Sequence, residues 1–238
     1  MKAMILAAGL GTRLKPFTDS HPKALAIVNQ KTILSRNIEY LKSFGITDII
    51  INVHHFANQI IDHTNENQNF GINITISDET DEVLETGGGL KKAAWFFNDH
   101  QPFVLMNVDI LTDMNLGNMI QYHLDKKPLA TLAVSERTSS RCFLFNKTNE
   151  LCGWKNKQTN EEKISKPNEE LIPYSFSGIH IIDPTLLPLI KQEGKFSLVD
   201  VYLDLAKTQT ILGYNHTGCH LMDVGKPESI IEAEKIFI

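Results

Sequence analysis

An α/β fold, with a parallel sheet covered by helices on both sides, is predicted by two features of the 238-residue chain. Apolar runs of strand length recur along it, and between them lie segments whose apolar residues follow helical spacing. Residues 1–8, apolar apart from Lys2, read as a strand buried on both faces. From Thr32, the residues Ile33, Leu34, Ile38, Leu41 and Phe44 form one helical face, and Gly45 stands where a left-handed cap would end it. A second buried strand follows at 48–53, a helix at 57–65 and a short alternating strand at 72–77. Residues 89–97 fit a helix and 102–108 a third buried strand. The alternation continues with a helix at 116–126 and a strand at 129–135.

Between 137 and 170 the pattern weakens into a polar stretch rich in Asn, Lys and Glu, with a hairpin suggested by 143–145 and 151–154. It is expected to be an excursion from the main sheet, or a flap. A strand returns at 175–182, helices at 184–189 and 198–207, a last strand at 220–224, and Pro227 opens a closing helix as a good first-turn residue. No internal repeat or linker divides the chain, so 1–238 is expected to be one domain.

The composition excludes several classes. Charged residues are 21% and hydrophobic residues 42%, the balance of a folded protein. A net charge of −5 argues against nucleic acid or anionic membrane as a partner, but leaves room for a small polyanion held by a few local cations. Cys142, Cys152 and Cys219 are scattered, without a CxxC pair, and read as reduced thiols. The amino-terminal apolar run is too short for a bilayer and lacks the pattern of a signal peptide, so a cytoplasmic location is expected. The histidines suggest no zinc site. Oligomeric state is left open.

The densest chemical signal is Leu6-Ala-Ala-Gly-Leu-Gly-Thr-Arg-Leu-Lys-Pro-Phe-Thr18, followed by Pro22-Lys23. A buried strand runs into Gly9 and Gly11, where the backbone can turn and offer N–H groups to phosphate oxygens. Arg13 and Lys23 add positive charge where a triphosphate would lie. The dinucleotide fingerprint needs a third glycine where this chain has Leu14, which disfavours a nicotinamide oxidoreductase. The Walker loop's Gly-Lys-Ser/Thr is absent. Asp109 follows an apolar strand, which places it at the carboxyl edge of the sheet where ligands of open α/β sheets bind. Asp223 also ends an apolar run, before Gly225. Two carboxylates suffice for magnesium when substrate phosphates and waters complete the octahedron. Asp113 is positioned to cap the helix that starts near Asn115.

The segment from Leu6 to Thr18 with Pro22-Lys23 resembles the signature of the sugar-1-phosphate nucleotidyltransferases. Leu84-Glu-Thr-Gly-Gly-Gly89, Met106-Asn-Val-Asp109 and Met222-Asp-Val-Gly-Lys-Pro227 agree with it in order, so the resemblance spans nearly the whole chain. It implies a Rossmann-like, mixed and mostly parallel sheet, a nucleoside triphosphate and a sugar 1-phosphate as substrates, and Mg2+ as cofactor. It places the triphosphate against Ala8, Gly9, Gly11, Thr12, Arg13 and Lys23, with Arg13, Lys23 and Asp109 as the catalytic groups. The metal falls to Asp109 and Asp223, and the base to a loop whose Gly87 and Gly88 let it lie against the backbone. The sugar side is assigned to Asn107, Glu85, Gly178 in Phe176-Ser-Gly-Ile179, and Lys166 in Ser165-Lys-Pro167. That last segment departs from the family's Glu-Lys-Pro at Ser165, and Val108 replaces a frequent glycine. The Glu-Thr-Gly-Gly-Gly segment and the short length are most similar to the branch that uses UTP and an N-acetylated amino sugar. A phosphocholine cytidylyltransferase and a non-catalytic nucleotide-binding module are the alternatives.

Overall fold

The computed structural model of the chain describes residues 1–168 and 170–238. The first half alternates strand and helix: β1 (Lys2–Leu6), a small ribbon of β2 (Ile27–Val28) and β3 (Lys31–Thr32), α1 (Ile33–Ser43), β4 (Asp48–Val53), α2 (Ala57–Glu66), β5 (Asn73–Asp78) and α3 (Glu85–Lys92). Next come β6 (Phe103–Asn107), β7 (Ile110–Thr112), α4 (Leu116–Lys126) and β8 (Ala130–Ser135). The remainder supplies β9 (Arg141–Phe145), β10 (Leu151–Asn156), β11 (Glu162–Ile164), β12 (Ile172–Ile182), α5 (Leu198–Leu205), β13 (Ile211–Asn215), β14 (Leu221–Asp223) and α6 (Pro227–Ile236).

Strands β6, β1, β4 and β5 lie side by side and parallel. Next to β6 runs β12, antiparallel to it; β8 is antiparallel to β12, and β13 is parallel to β8. Two reversals restore direction, so β6, β8 and β13 all point the same way. Their carboxyl ends share one edge with that of β1. The fold is therefore the mixed, mostly parallel central sheet expected, with helices on both faces.

The unbroken apolar runs are explained by that sandwiching. In β1, Ala3 and Ile5 face one core with Ile49 and Ile51 of β4, while Met4 and Leu6 face the other with Ile50. The first core is closed by Leu34, Ile38 and Leu41 of α1, Ile60 of α2, and Leu116 and Met119 of α4. The second is closed by Leu90 of α3 and by Leu198, Val201 and Tyr202 of α5. Thr32 caps α1 by accepting from the Ser35 amide, and Gly45, at φ 78°, follows its last turn as expected.

Several elements differ from the sequence expectation, among them β13, a main-sheet strand that was not expected. The glycine-rich segment at 85–89 is helical, so α3 begins four residues earlier than expected. Within the stretch expected to be an excursion or flap, β9, β10 and β11 extend the sheet as an antiparallel ribbon from β12. Residues 184–189 form a 3-10 helix; Pro188, inside it, lacks the N–H that an α-helix would bond to the Pro184 carbonyl. The last strand, β14, pairs with β7 outside the main sheet. Among the described residues, no helix is long and apolar enough to cross a membrane.

Candidate active site

The turn after β1 is built by Gly11, whose φ of 64° suits glycine, and a side chain there would strike Thr18 Cγ2 at 2.8 Å and Lys23 Cβ at 3.0 Å. Thr18 ties the turn back by donating its hydroxyl to the Gly11 carbonyl at 3.0 Å. Gly9 faces open space. A 3-10 turn at Thr12–Leu14 follows, pointing Leu14 inward and leaving Arg13 at the surface. Leu14 joins Ala26, Val28, Ile33, Leu111, Val224 and Ala233 in a third apolar cluster. That cluster clamps the turn, α1, β7, the end of β14 and α6 together. Each large aliphatic side chain buried in it contributes about 1.5–3 kcal/mol.

The two acids are brought together by backbone pairing. Asp223 is the ladder partner of Ile110, and the Val224 amide donates to the Asp109 carbonyl at 2.9 Å. Asp109 sits just past β6, held there by Val108, whose amide donates to the Leu6 carbonyl at 3.1 Å. The Val108 carbonyl accepts from the buried Asn37 side chain at 2.6 Å. Each acid faces a cation: Lys23 is hydrogen-bonded to Asp109, and Arg13 Nη2 lies 3.7 Å from Asp223 Oδ2.

All four charges meet around Gly225. A Cβ on that residue would lie 2.7 Å from Asp223 Oδ1, 2.8 Å from Arg13 Nη2 and 3.0 Å from Lys23 Nζ. The glycine turn and both distant acids therefore share one cluster. It opens into a cleft of about 260 Å³ whose walls include Ala8, Gly9, Gly11, Thr12, Asn52, Val83, Glu85, Thr86, Asn107 and Val108. Glu85 holds φ 60° there, a costly conformation for a residue with a side chain, and lies 3.8 Å from Lys195.

Other expected site residues fall elsewhere. Gly87 and Gly88 do not wall the cleft. Their amides donate to the Phe196 carbonyl at 3.0 and 3.4 Å, and a Cβ on them would meet the Phe196 ring at 2.5 Å and the Gly194 carbonyl at 2.3 Å. These glycines let the 194–198 loop press against α3, with Thr86 Oγ1 accepting from the Leu198 amide at 2.9 Å. The Gly87 and Gly88 amides are thus engaged within the fold, while Glu85 and Thr86 of the same segment wall the cleft. Lys166 is not among the residues brought together at the cleft. It pairs with Glu150 at 2.5 Å and donates to the Gln209 carbonyl at 3.3 Å, just ahead of β13, at the sheet edge opposite Asn107. Gly178, at φ 73°, lies beside Asn107, since a Cβ there would be 3.1 Å from the Asn107 amide nitrogen and 2.7 Å from Ile110. Asp113 caps no helix: Asn115 caps α4, while Asp113 accepts from the amide of His220 at 2.8 Å and meets its ring at 2.6 Å.

Asn52, on the cleft wall, escaped the sequence reading, and Gly225 entered it only as part of the 222–227 segment. Asn52 is a lone polar side chain within the apolar run of β4, which was a usable signal.

Two aspartates beside a phosphate-ready turn are hard oxygen donors suited to magnesium. Among the described residues no group of three or more metal-ligating side chains gathers, so any such ion would depend on substrate oxygens for the rest of its shell.

This arrangement is that of a nucleotide-handling α/β protein, and comparison with known proteins agrees. Residues 2–237 match the nucleotidyl transferase family, and the chain belongs to it. It is 30% identical to an N-acetylmuramate alpha-1-phosphate uridylyltransferase of Caulobacter vibrioides, over 98% of this chain and 95% of that one. It is 27% identical to a mannose-1-phosphate guanyltransferase of Yarrowia lipolytica, over 100% of this chain but only 64% of the relative. In fold it is similar to the crystal structure of HddC from Yersinia pseudotuberculosis complexed with GMP-PN, with a TM-score of 0.79, 24% identity, and coverage of 100% and 99% of the two chains.

Proposed function

We propose that the chain transfers a nucleoside monophosphate from a nucleoside triphosphate to a sugar 1-phosphate and releases pyrophosphate. The observation that carries this reading is the convergence of Arg13, Lys23, Asp109 and Asp223 around Gly225 at the mouth of the glycine turn. A phosphate oxygen of the acceptor attacks the α-phosphorus, a P–O bond forms, and the bond to the β-phosphate bridge breaks. The attacking phosphate is largely dianionic at neutral pH, because its second pKa is about 6. No general base is required, so catalysis consists of placement and charge neutralisation.

Asp109 and Asp223 would hold magnesium, which supplies charge neutralisation at the triphosphate when bound. The backbone from Ala8 to Thr12 cradles the phosphates. Lys23 orients the α-phosphate, and Arg13 stabilises the departing pyrophosphate; in the free molecule both are parked on the acids. Asn107 and Glu85, on the cleft wall, take the sugar side, with Gly178 leaving room beside Asn107. The strained backbone of Glu85 supports a role in contacting substrate, since such conformations gather at functional sites.

UTP and N-acetylmuramate 1-phosphate are the proposed substrates. The Caulobacter relative, 30% identical over 98% of this chain, supports them. A panel of triphosphates with sugar 1-phosphates and phosphocholine, read by pyrophosphate release, tests this. UTP with N-acetylmuramate 1-phosphate should be fastest. Asp109→Asn and Asp223→Asn should each cut turnover by orders of magnitude while the far-UV circular dichroism stays unchanged. Near-normal rates in both would remove the carboxylates from the mechanism, and triphosphate binding without pyrophosphate release would leave a binding module.

A further inference from the structure

Behind the glycine turn lies a polar chain that serves no packing purpose. Asn52, in the middle of an apolar strand and 2% exposed, accepts from the Ala7 amide through Oδ1 at 2.7 Å. Since an amide N–H can only donate, this bond fixes which way the Asn52 side chain faces. Its Nδ2 then points to Glu79 Oε1 at 2.8 Å. Glu79 is fully buried, and among the described residues no cation forms a salt bridge with it. Its Oε2 accepts a long bond from the Leu84 amide at 3.4 Å. The Glu79 backbone is pinned on both sides: its amide donates to Val53 at 2.8 Å and its carbonyl meets His54 Nδ1 at 2.6 Å. Gly89 of α3 completes the arrangement, because a Cβ there would lie 2.8 Å from Glu79 Oε1 and 2.9 Å from Asn52 Nδ2.

A buried carboxylate without a cation is costly, and burial pushes the Glu79 carboxyl above its usual range. An apolar residue would fill this space at less expense. What the carboxylate supplies is an acceptor that turns the Asn52 amide toward Ala7, the residue that leads into the turn. Asn52 is itself part of the cleft wall with Ala8, Gly9 and Val83.

We infer that Glu79 is a positioning residue for the nucleotide: acting through Asn52, it sets the backbone at Ala7 and so the geometry of the phosphate-binding turn. The inference rests on the proposed reading of that turn as a triphosphate site. Complementarity makes it testable by exchange. Asn52→Asp alone sets two carboxylates face to face. Glu79→Gln alone can still present its oxygen to Asn52 and loses only the long bond to Leu84. The double variant restores the chain reversed: Ala7 donates to the new carboxylate at 52, the new amide at 79 donates to its other oxygen, and the Leu84 amide donates to the amide oxygen.

Equilibrium binding of UTP with magnesium, measured by calorimetry alongside the thermal midpoint, separates positioning from mere folding. Asn52→Asp should weaken UTP binding about tenfold or more, the size of one spoiled buried hydrogen bond. Glu79→Gln should cost about threefold or less, and the double variant should return to within about threefold of the wild type. A double variant that binds no better than Asn52→Asp overturns the proposal, as does an Asn52→Asp protein that binds normally. Should Asn52→Asp not fold, Gly89→Ala serves: alanine favours the helix, so α3 persists while the Cβ wedges the pair apart and UTP binding falls. Normal binding by Gly89→Ala also overturns the proposal. If the wild type binds none of UTP, GTP, CTP or dTTP, the nucleotide reading itself fails, which is a separate result.

Discussion

Replacing Gly225 by alanine adds a single methyl group at the point where the four charges meet. The backbone of Gly225 is not in the left-handed region, so alanine can adopt it. The new carbon would lie 2.7 Å from Asp223 Oδ1 and 2.8 Å from Arg13 Nη2, whereas ordinary contacts run from 3.4 Å. The carboxylate must therefore retreat by about 0.7 Å and the guanidinium by about 0.6 Å, taking 3.4 Å less each distance. Both atoms are the ends of side chains that are more than a third exposed, so they can move at little cost to the fold. The chemistry is far less tolerant, because a shift near 1 Å in a reacting constellation costs about a hundredfold in rate. Gly225→Ala should thus leave the urea midpoint close to that of the wild type while lowering kcat by about a hundredfold, roughly 2.7 kcal/mol of barrier. Steady-state pyrophosphate release and urea unfolding on the same preparation measure both quantities. Unchanged kcat would show that the convergence around Gly225 has no catalytic meaning.

Lys166→Ala removes a pair with Glu150 at the far sheet edge and should change kcat and KM by about twofold at most. A loss of a hundredfold in the steady-state assay would restore the acceptor role that the resemblance implied. Gly88→Ala sets a methyl 2.3 Å from the Gly194 carbonyl, which is backbone and cannot swing away. Overpacking of this kind should lower stability by about 1–3 kcal/mol in urea unfolding, and a neutral outcome would refute the helix–loop account of that glycine. Burial draws His180 down to about 3 and His123 to about 4. In the unfolded chain both titrate near 6.5, so there the unfolded state takes up protons the folded state refuses. Their contribution is complete above about pH 6.5 and fades as pH falls toward 4 and then 3, at about 1.4 kcal/mol per pH unit for each near pH 5. His180→Gln should flatten the pH dependence of urea stability by about one proton, and an unaltered slope would contradict the assignment.

The parts of this molecule that were legible from its residues are those where one local pattern decides the outcome. Buried strands such as Asp48–Val53 announce themselves as apolar runs because both faces are covered. The turn at Gly9 and Gly11 was readable because a backbone reversal leaves few choices of residue. The meeting of Asp109 with Asp223 lay beyond local pattern, since it depends on β7 pairing with β14 across more than a hundred residues. Motif order supported it, and the ladder supplies its physical cause. The ligand roles of Gly87, Gly88 and Lys166 came from the resemblance, and local pattern gave no sign that each also has a tertiary partner: the Phe196 and Gly194 carbonyls, and the Glu150 carboxylate.

Asn52 and Glu79 teach the converse. A polar residue inside an apolar run is an expensive exception, and the reason for it is sought in what it holds in place. Asn37 obeys the same logic on the apolar face of α1, where its amide steadies the Val108 carbonyl one residue before Asp109. Two buried asparagines thus each support one strand end of the cleft, Asn52 at the turn after β1 and Asn37 at the acid after β6. Both are readable as interruptions of hydrophobic periodicity, which makes such interruptions a better guide to this site than residue type alone.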